Sequence, residues 1–124
     1  MKHGSQTVVV LGASDKPERY SNMAVRLLKQ EGHRVIPVHP KLKTIEGLPV
    51  APSLEAIGEK VHTLTIYIVP LRSQALAESI LALRPDRVIF NPGTESPELE
   101  ERFSKQGTAF VKACTLILLR TGKF

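Results

Sequence analysis

The run Val8-Val9-Val10-Leu11-Gly12-Ala13-Ser14-Asp15-Lys16-Pro17 limits what this chain can fold into more than any other stretch. A short apolar, β-branched segment ends at a glycine. Small and polar residues follow, and a helical pattern opens near Ser21. Strand, tight glycine turn and helix form the opening of a βαβ unit. In such a unit the first turn aims backbone N–H groups, and the positive end of a helix dipole, at a position where a phosphate can sit.

The rest of the chain repeats the alternation. Strand-like runs are expected at Thr7–Gly12, Arg34–Val38, Thr63–Val69, Arg87–Phe90 and Ala109–Val111. Helical patterns fall between them. The first runs from an N-cap at Ser21 to Glu31, with Met23, Ala24, Leu27 and Leu28 as its buried stripe and Gly32 as its stop. A short helix over Leu54–Ile57 is capped by Ser53 and stopped by Gly58. A longer one covers Ser73–Leu83, with Leu76, Ile80 and Leu83 on one face. Ser96 caps a further helix with Pro97 in its first turn, Glu98 complements its dipole, and Gly107 ends it. The tail Thr115–Leu119 reads as a last strand, a helical turn against the sheet, or a contact surface between subunits.

This pattern predicts an α/β fold: a Rossmann-like three-layer sandwich with a five-stranded, mainly parallel sheet, in the order 3-2-1-4-5. One domain spans residues 1–124, and the 42% hydrophobic content is enough for its core. The single cysteine, Cys114, excludes an internal disulfide and fits a reducing compartment. Met1–Thr7 is polar and lacks the apolar core of a signal peptide, and no run reaches the length of a membrane span. A cytoplasmic protein without a membrane partner is expected. The net charge of +5 favours anionic partners, but the charge is scattered, aromatics are few and Trp is absent. A nucleic-acid surface needs clustered cations or stacking rings, so no nucleic-acid partner is expected.

Ligands of such sheets bind at the strand carboxyl ends, at the switch point beside the first strand. At the first of these ends, Gly12-Ala13-Ser14-Asp15-Lys16-Pro17 has one glycine and fails the G-x-G-x-x-G pattern of NAD domains. Two readings stand: phosphate held around Ser14 with Lys16 or Arg19 nearby, or a glycine that permits a tight turn capped by Ser14. The second end is Val38-His39-Pro40-Lys41-Leu42-Lys43. NAD-binding domains carry a carboxylate here for the ribose hydroxyls. Its absence, with Lys41 and Lys43 following, suits a ribose that bears its own phosphate, as in NADP and coenzyme A; a solvated basic loop is the other reading. Val69-Pro70 offers either an apolar wall or simple punctuation. Asn91-Pro92-Gly93 is a turn whose Asn91 either meets a ligand or bonds to its own loop. Cys114 has no neighbour placed by sequence to make it a nucleophile, the histidines lack metal-ligand spacing, and no catalytic or metal residue is assigned.

Val10 through Pro17, Gly32-His33-Arg34-Val35-Ile36-Pro37-Val38-His39-Pro40, Ile45-Glu46-Gly47, Val69-Pro70 and Gly107 through Cys114 together resemble the CoA-binding domain family. That domain stands alone in bacterial and archaeal proteins, and it forms the N-terminal domain of the succinyl-CoA synthetase α subunit and of ADP-forming acyl-CoA synthetases. The resemblance covers nearly the whole chain. It implies that Gly12, Ala13 and Ser14 approach the CoA diphosphate, assisted by Lys16 or Arg19. Val38, Pro40, Lys41 and Lys43 would surround the 3′-phosphorylated ribose, with His39 in place of the family's usual asparagine. Val69 and Pro70 would line the adenine side, and Asn91, Pro92 and Gly93 would border the pantetheine; the family often carries Gln before Gly at that last position. The implied function is a module binding CoA or acyl-CoA, since the phosphorylated histidine and ATP-grasp domain of the synthetases lie outside this domain. A CoA-binding subunit of a separately encoded synthetase and a homo-oligomer are the partner expectations. A small NADP-dependent reductase is the alternative from another class, although no Tyr-Lys or similar dyad appears at plausible spacing.

Overall fold

The computed structural model describes residues 4–124. The polar start read above falls partly outside them, at its first three positions. The chain forms β1 (Thr7–Leu11), α1 (Tyr20–Gln30), β2 (Arg34–Val38), β3 (Thr44–Ile45), β4 (Leu48–Pro49), a 3-10 turn (Leu54–Ala56) and β5 (Thr63–Ile66). There follow α2 (Pro70–Ala75), α3 (Ala77–Leu83), β6 (Arg87–Phe90), α4 (Pro97–Gln106), β7 (Ala109–Lys112) and α5 (Thr115–Arg120).

β1 alternates with period two. Val9 and Leu11 belong to one apolar cluster, with Ile80 and Leu81 of α3 and Leu99 and Phe103 of α4. Val8 and Val10 belong to another, with Val25 and Leu28 of α1 and Leu119 of α5. Both faces of the strand are therefore covered, which is why its sequence is apolar without interruption. Phe90 meets Phe103 and Phe110 edge-on, with ring centroids 6.0 and 5.9 Å apart. The tail read as strand, turn or contact surface is the helix α5, packed on the α1 side. The α/β three-layer architecture is thus the observed one.

The sheet order is β2-β1-β5-β6-β7, with every pair parallel. Counted in chain order within this sheet, that is 2-1-3-4-5, and it corrects the expected 3-2-1-4-5. The physical reason is Pro37. In the expected order the strand Arg34–Val38 lies inside the sheet, where a residue without an N–H loses a ladder bond. In the structure that strand is the edge of the sheet, flanked only by the short segment at Ala51: the Pro37 carbonyl faces outward and accepts from Ala51 N–H at 2.9 Å, so the missing N–H faces outward too. The third sheet strand, β5, pairs instead with the free side of β1. The connection reverses direction beside β1, leaving a crevice between the ends of β1 and β5.

Other boundaries also shift. Arg19, in extended conformation, caps α1, and Met23 N–H already bonds the Arg19 carbonyl at 3.0 Å. Ser21 is therefore inside the helix and buried, not its cap. The Ser53 side chain makes no cap bond, and Ile57 rather than Gly58 follows the 3-10 turn. The third sheet strand ends at Ile66, and Pro70 opens α2 at a position that suits proline. The expected Ser73–Leu83 helix is thus two, α2 and α3, joined at Leu76. At α4 the expected cap is present: Ser96 Oγ accepts from Leu99 N–H at 3.3 Å, and Gly107 closes the helix at φ 83°.

Candidate functional site

The register sets the ends of β1, β2 and β5 side by side, since Leu11 is opposite both Val38 and Ile66. A cavity of about 580 Å³ opens above them. Its walls are the turn after β1 (Gly12, Ala13, Ser14, Asp15, Lys16 and Arg19), the end of β2 (Val38, His39, Pro40 and Leu42), the segment Pro52–Glu55, and Ile68, Arg72, Leu76 and Ser79.

Gly12 makes the turn possible twice over. Its φ is +87°, and a Cβ there would lie 2.7 Å from Ile68 Cγ2 and 3.2 Å from the Tyr67 carbonyl group. Only glycine lets β1 end so close to the chain leaving β5. Ala13 is tied down by its N–H, which donates to the Val38 carbonyl at 3.3 Å. Ser14 Oγ accepts from Lys16 N–H at 3.1 Å, closing the turn and keeping the hydroxyl proton free to donate. Exposed Lys16 and Arg19 add cations to this wall, and the first N–H groups of α1 have no intrahelical partner.

His39 closes the second wall. Its Nδ1 accepts from the N–H groups of Lys41 and Leu42, each at 3.0 Å, which sets the proton on Nε2. An asparagine Oδ1 could accept the same pair of bonds, so the departure at His39 preserves the turn. Lys41 and Lys43 are exposed on the loop just beyond and do not line the cavity; neither forms an ion pair among the described residues.

Four other expected residues are placed away from the cavity wall, and one is internal. Val69 is the exposed cap of α2 and Pro70 its first residue. Pro92 and Gly93 form an exposed turn in which Gly93 N–H donates to Glu95 Oε1 at 2.9 Å. Asn91 is buried. Its amide donates to Thr65 Oγ1 at 2.7 Å and to the Ile66 carbonyl at 2.9 Å, and its Oδ1 accepts from Thr115 N–H at 2.9 Å. These bonds staple β5, β6 and α5 together. Cys114 is a free, half-buried thiol that caps α5.

The far wall is absent from the sequence reading. Arg72 and Leu76 stand four apart and line the cavity from one face of the α2 segment, a relationship hidden when the helix is started at Ser73. Glu55 pairs with Ser79, whose hydroxyl donates to Oε2. That bond, more than the Glu55 backbone N–H and Ser53, holds the Glu55 carboxyl below its usual range. The cavity therefore carries Lys16 and Arg19 with Asp15 at the β1 turn, and Glu55 with Arg72 on the far wall, with Leu11, Val38, Leu54 and Ile68 as buried apolar surface. No group of His, Cys, Asp and Glu among the described residues could hold a metal ion, and none of their helices is long and apolar enough to cross a membrane.

A sequence profile described as a CoA binding domain matches residues 6–120. A crystal structure of an uncharacterized protein has 38% identity and a TM-score of 0.87, covering 98% of this chain and all of that one. The Bacillus subtilis (strain 168) protein YneT is 27% identical over 77 residues, which is 62% of this chain and 57% of the length of YneT. The dinucleotide-forming acetyl-coenzyme A synthetase 1 of Candidatus Korarchaeum cryptofilum shares the fold, with a TM-score of 0.73 at 20% identity. The likeness covers 87% of this chain and 25% of that one.

Proposed function

The chain belongs to the CoA binding domain family, and from that premise we propose that it holds coenzyme A or an acyl-CoA as a non-catalytic, nucleotide-binding module. The observation that carries the reading is one cavity in which the Gly12 turn meets a β2 end without a carboxylate. The diphosphate lies against Gly12, Ala13 and Ser14, drawn by Lys16, Arg19 and the start of α1. Lys41 and Lys43 meet the 3′-phosphate from the loop that His39 shapes, with Val38 and Pro40 under the ribose. A volume of about 580 Å³ suits the nucleotide half of the molecule. Val69 and Pro70, expected on the adenine side, lie outside the cavity wall and serve instead the pantetheine arm, which leaves past them toward Pro92 and Gly93. Asn91 supports this rim from inside, because its polar atoms are already bonded.

The residues fit the ligand on structural grounds. The Gly12 turn and the exposed cations Lys16 and Arg19 line one cavity, and neither cation has a carboxylate partner among the described residues. The single free thiol fits a cytoplasmic setting. The fold shared with one part of an acetyl-CoA synthetase supports a second form of the reading, in which the module serves a separately encoded synthetase.

Amide chemical shifts recorded while CoA is added test the placement. Shifts are expected at Gly12–Ser14, Arg19, His39–Leu42 and Arg72. No shifts, or shifts confined to the opposite ends of the strands, would overturn it.

A further inference from the structure

The cavity lining carries one carboxylate away from the β1 turn, that of Glu55 on the 3-10 turn, with Arg72 on the same far wall and with Lys16, Arg19 and Asp15 on the β1 turn. Glu55 and Ser79 line the same cavity as Lys16 and Arg19, from the 3-10 turn and α3, and Leu54 and Leu76 line it with them. Ser79 donates to Oε2 of Glu55, and a carboxylate, with about four lone-pair sites, keeps capacity to accept one more donor beside the Glu55 backbone N–H and Ser53. A carboxylate there repels phosphate and attracts an N–H donor. If the diphosphate occupies the Gly12 turn and the 3′-phosphate lies by Lys41, the ribose between them points its base at the wall formed by Pro52–Glu55 and the α2–α3 joint.

We propose that the Glu55–Ser79 pair reads the exocyclic amine of an adenine base, making Glu55 a specificity-determining residue. This deepens the CoA reading and rests on it. The base lies between Leu54 and Ile68 on one side and Leu76 on the other, and its amino group donates to Glu55 Oε1. A base with a carbonyl oxygen at the same position sets two acceptors against each other and leaves the carboxylate unpaired. The competing structural role for the pair is a clasp that ties the 3-10 turn to α3, and the test must separate the two.

The probes are CoA and its analogue with hypoxanthine in place of adenine, titrated against the wild-type chain and against Glu55→Ala, Glu55→Gln and Ser79→Ala. Wild-type protein is expected to bind CoA about tenfold more tightly than the analogue. Glu55→Ala brings the ratio close to one. Glu55→Gln improves binding of the analogue over wild type, because the new amide can donate to the hypoxanthine oxygen; a clasp would not do this. Ser79→Ala keeps the preference for CoA with weaker overall binding. Equal wild-type affinities, or a Glu55→Ala loss that falls equally on both ligands, would overturn the assignment while leaving CoA binding intact. Failure of the wild-type chain to bind CoA at all would overturn the CoA reading itself, and this inference with it.

Discussion

The side-chain amide of Asn22 donates to the Ser14 carbonyl at 2.9 Å, and with its other hydrogen to Glu46 Oε2 at 3.1 Å. Asn22 is fully buried, and its Oδ1 accepts from Arg26 Nε at 2.8 Å. One residue thus joins the turn after β1 to the β3–β4 hairpin, which begins just after the loop carrying Lys41 and Lys43. Glu46 sits there at φ 51°, a strained value for a residue with a side chain, and Lys29 Nζ holds its carbonyl at 2.8 Å.

Removing that junction is expected to be costly. Asn22→Ala strands several polar groups, so stability should fall by about 2 kcal/mol in urea denaturation. A loss below about 0.5 kcal/mol, the range of an ordinary surface change, would contradict the role given to Asn22.

Gly12→Ala adds a Cβ at 2.7 Å from Ile68 Cγ2 in a backbone conformation that disfavours any side chain. Strain and overpacking together predict a loss of about 3 kcal/mol. The same measurement checks it, and a variant as stable as wild type would mean that the turn relaxes freely.

The layered fold was legible because local signals agreed with it. The alternation of Val8 to Leu11 between two cores, the Ser96–Gly107 helix and the paired strand ends follow from period and capping alone. The strand order differs from the expected one because local patterns do not say which neighbours a strand takes, and the edge position rests on the missing N–H of Pro37 alone. Pro70 reads equally as the end of a strand and as the first turn of a helix, and only the second places Arg72 on the cavity wall with Leu76. Glu55 and Ser79 lie 24 residues apart and meet only through the packing of the 3-10 turn on α3. No local pattern brings such a pair together.

Lys41 and Lys43 are assigned to the 3′-phosphate, so the double substitution to Ala should act on that group alone. Affinity for CoA is expected to drop about tenfold, and affinity for dephospho-CoA by less than about threefold. Parallel losses for the two ligands would remove the lysines from the phosphate.

The Tyr67 hydroxyl is buried without a hydrogen-bond partner among the described residues. Burial pushes its pKa up from 10.0 to about 12, against the weaker pull of the nearby Thr115 and Thr65 hydroxyls. Between these values the unfolded chain releases the phenol proton and the folded chain keeps it. Stability therefore falls as pH rises through this window, by about 2–3 kcal/mol in all. Tyr67→Phe should flatten that part of the stability curve and cost nothing at neutral pH, since no hydrogen bond is lost. Parallel curves for the two proteins between pH 10 and 12 would contradict the burial argument.

The central claim is that the crevice beside β1 holds coenzyme A through a diphosphate and a phosphorylated ribose. Calorimetric titration of the ligand-stripped chain with CoA, and separately with NADP, tests it most directly, because NADP shares the adenine and diphosphate but carries its ribose phosphate at the 2′ position and a nicotinamide nucleoside in place of pantetheine. Saturable binding of CoA with no heat from NADP is the predicted result. Binding of NADP with CoA silent would contradict the account and turn attention to a reductase, and silence from both would contradict it as well.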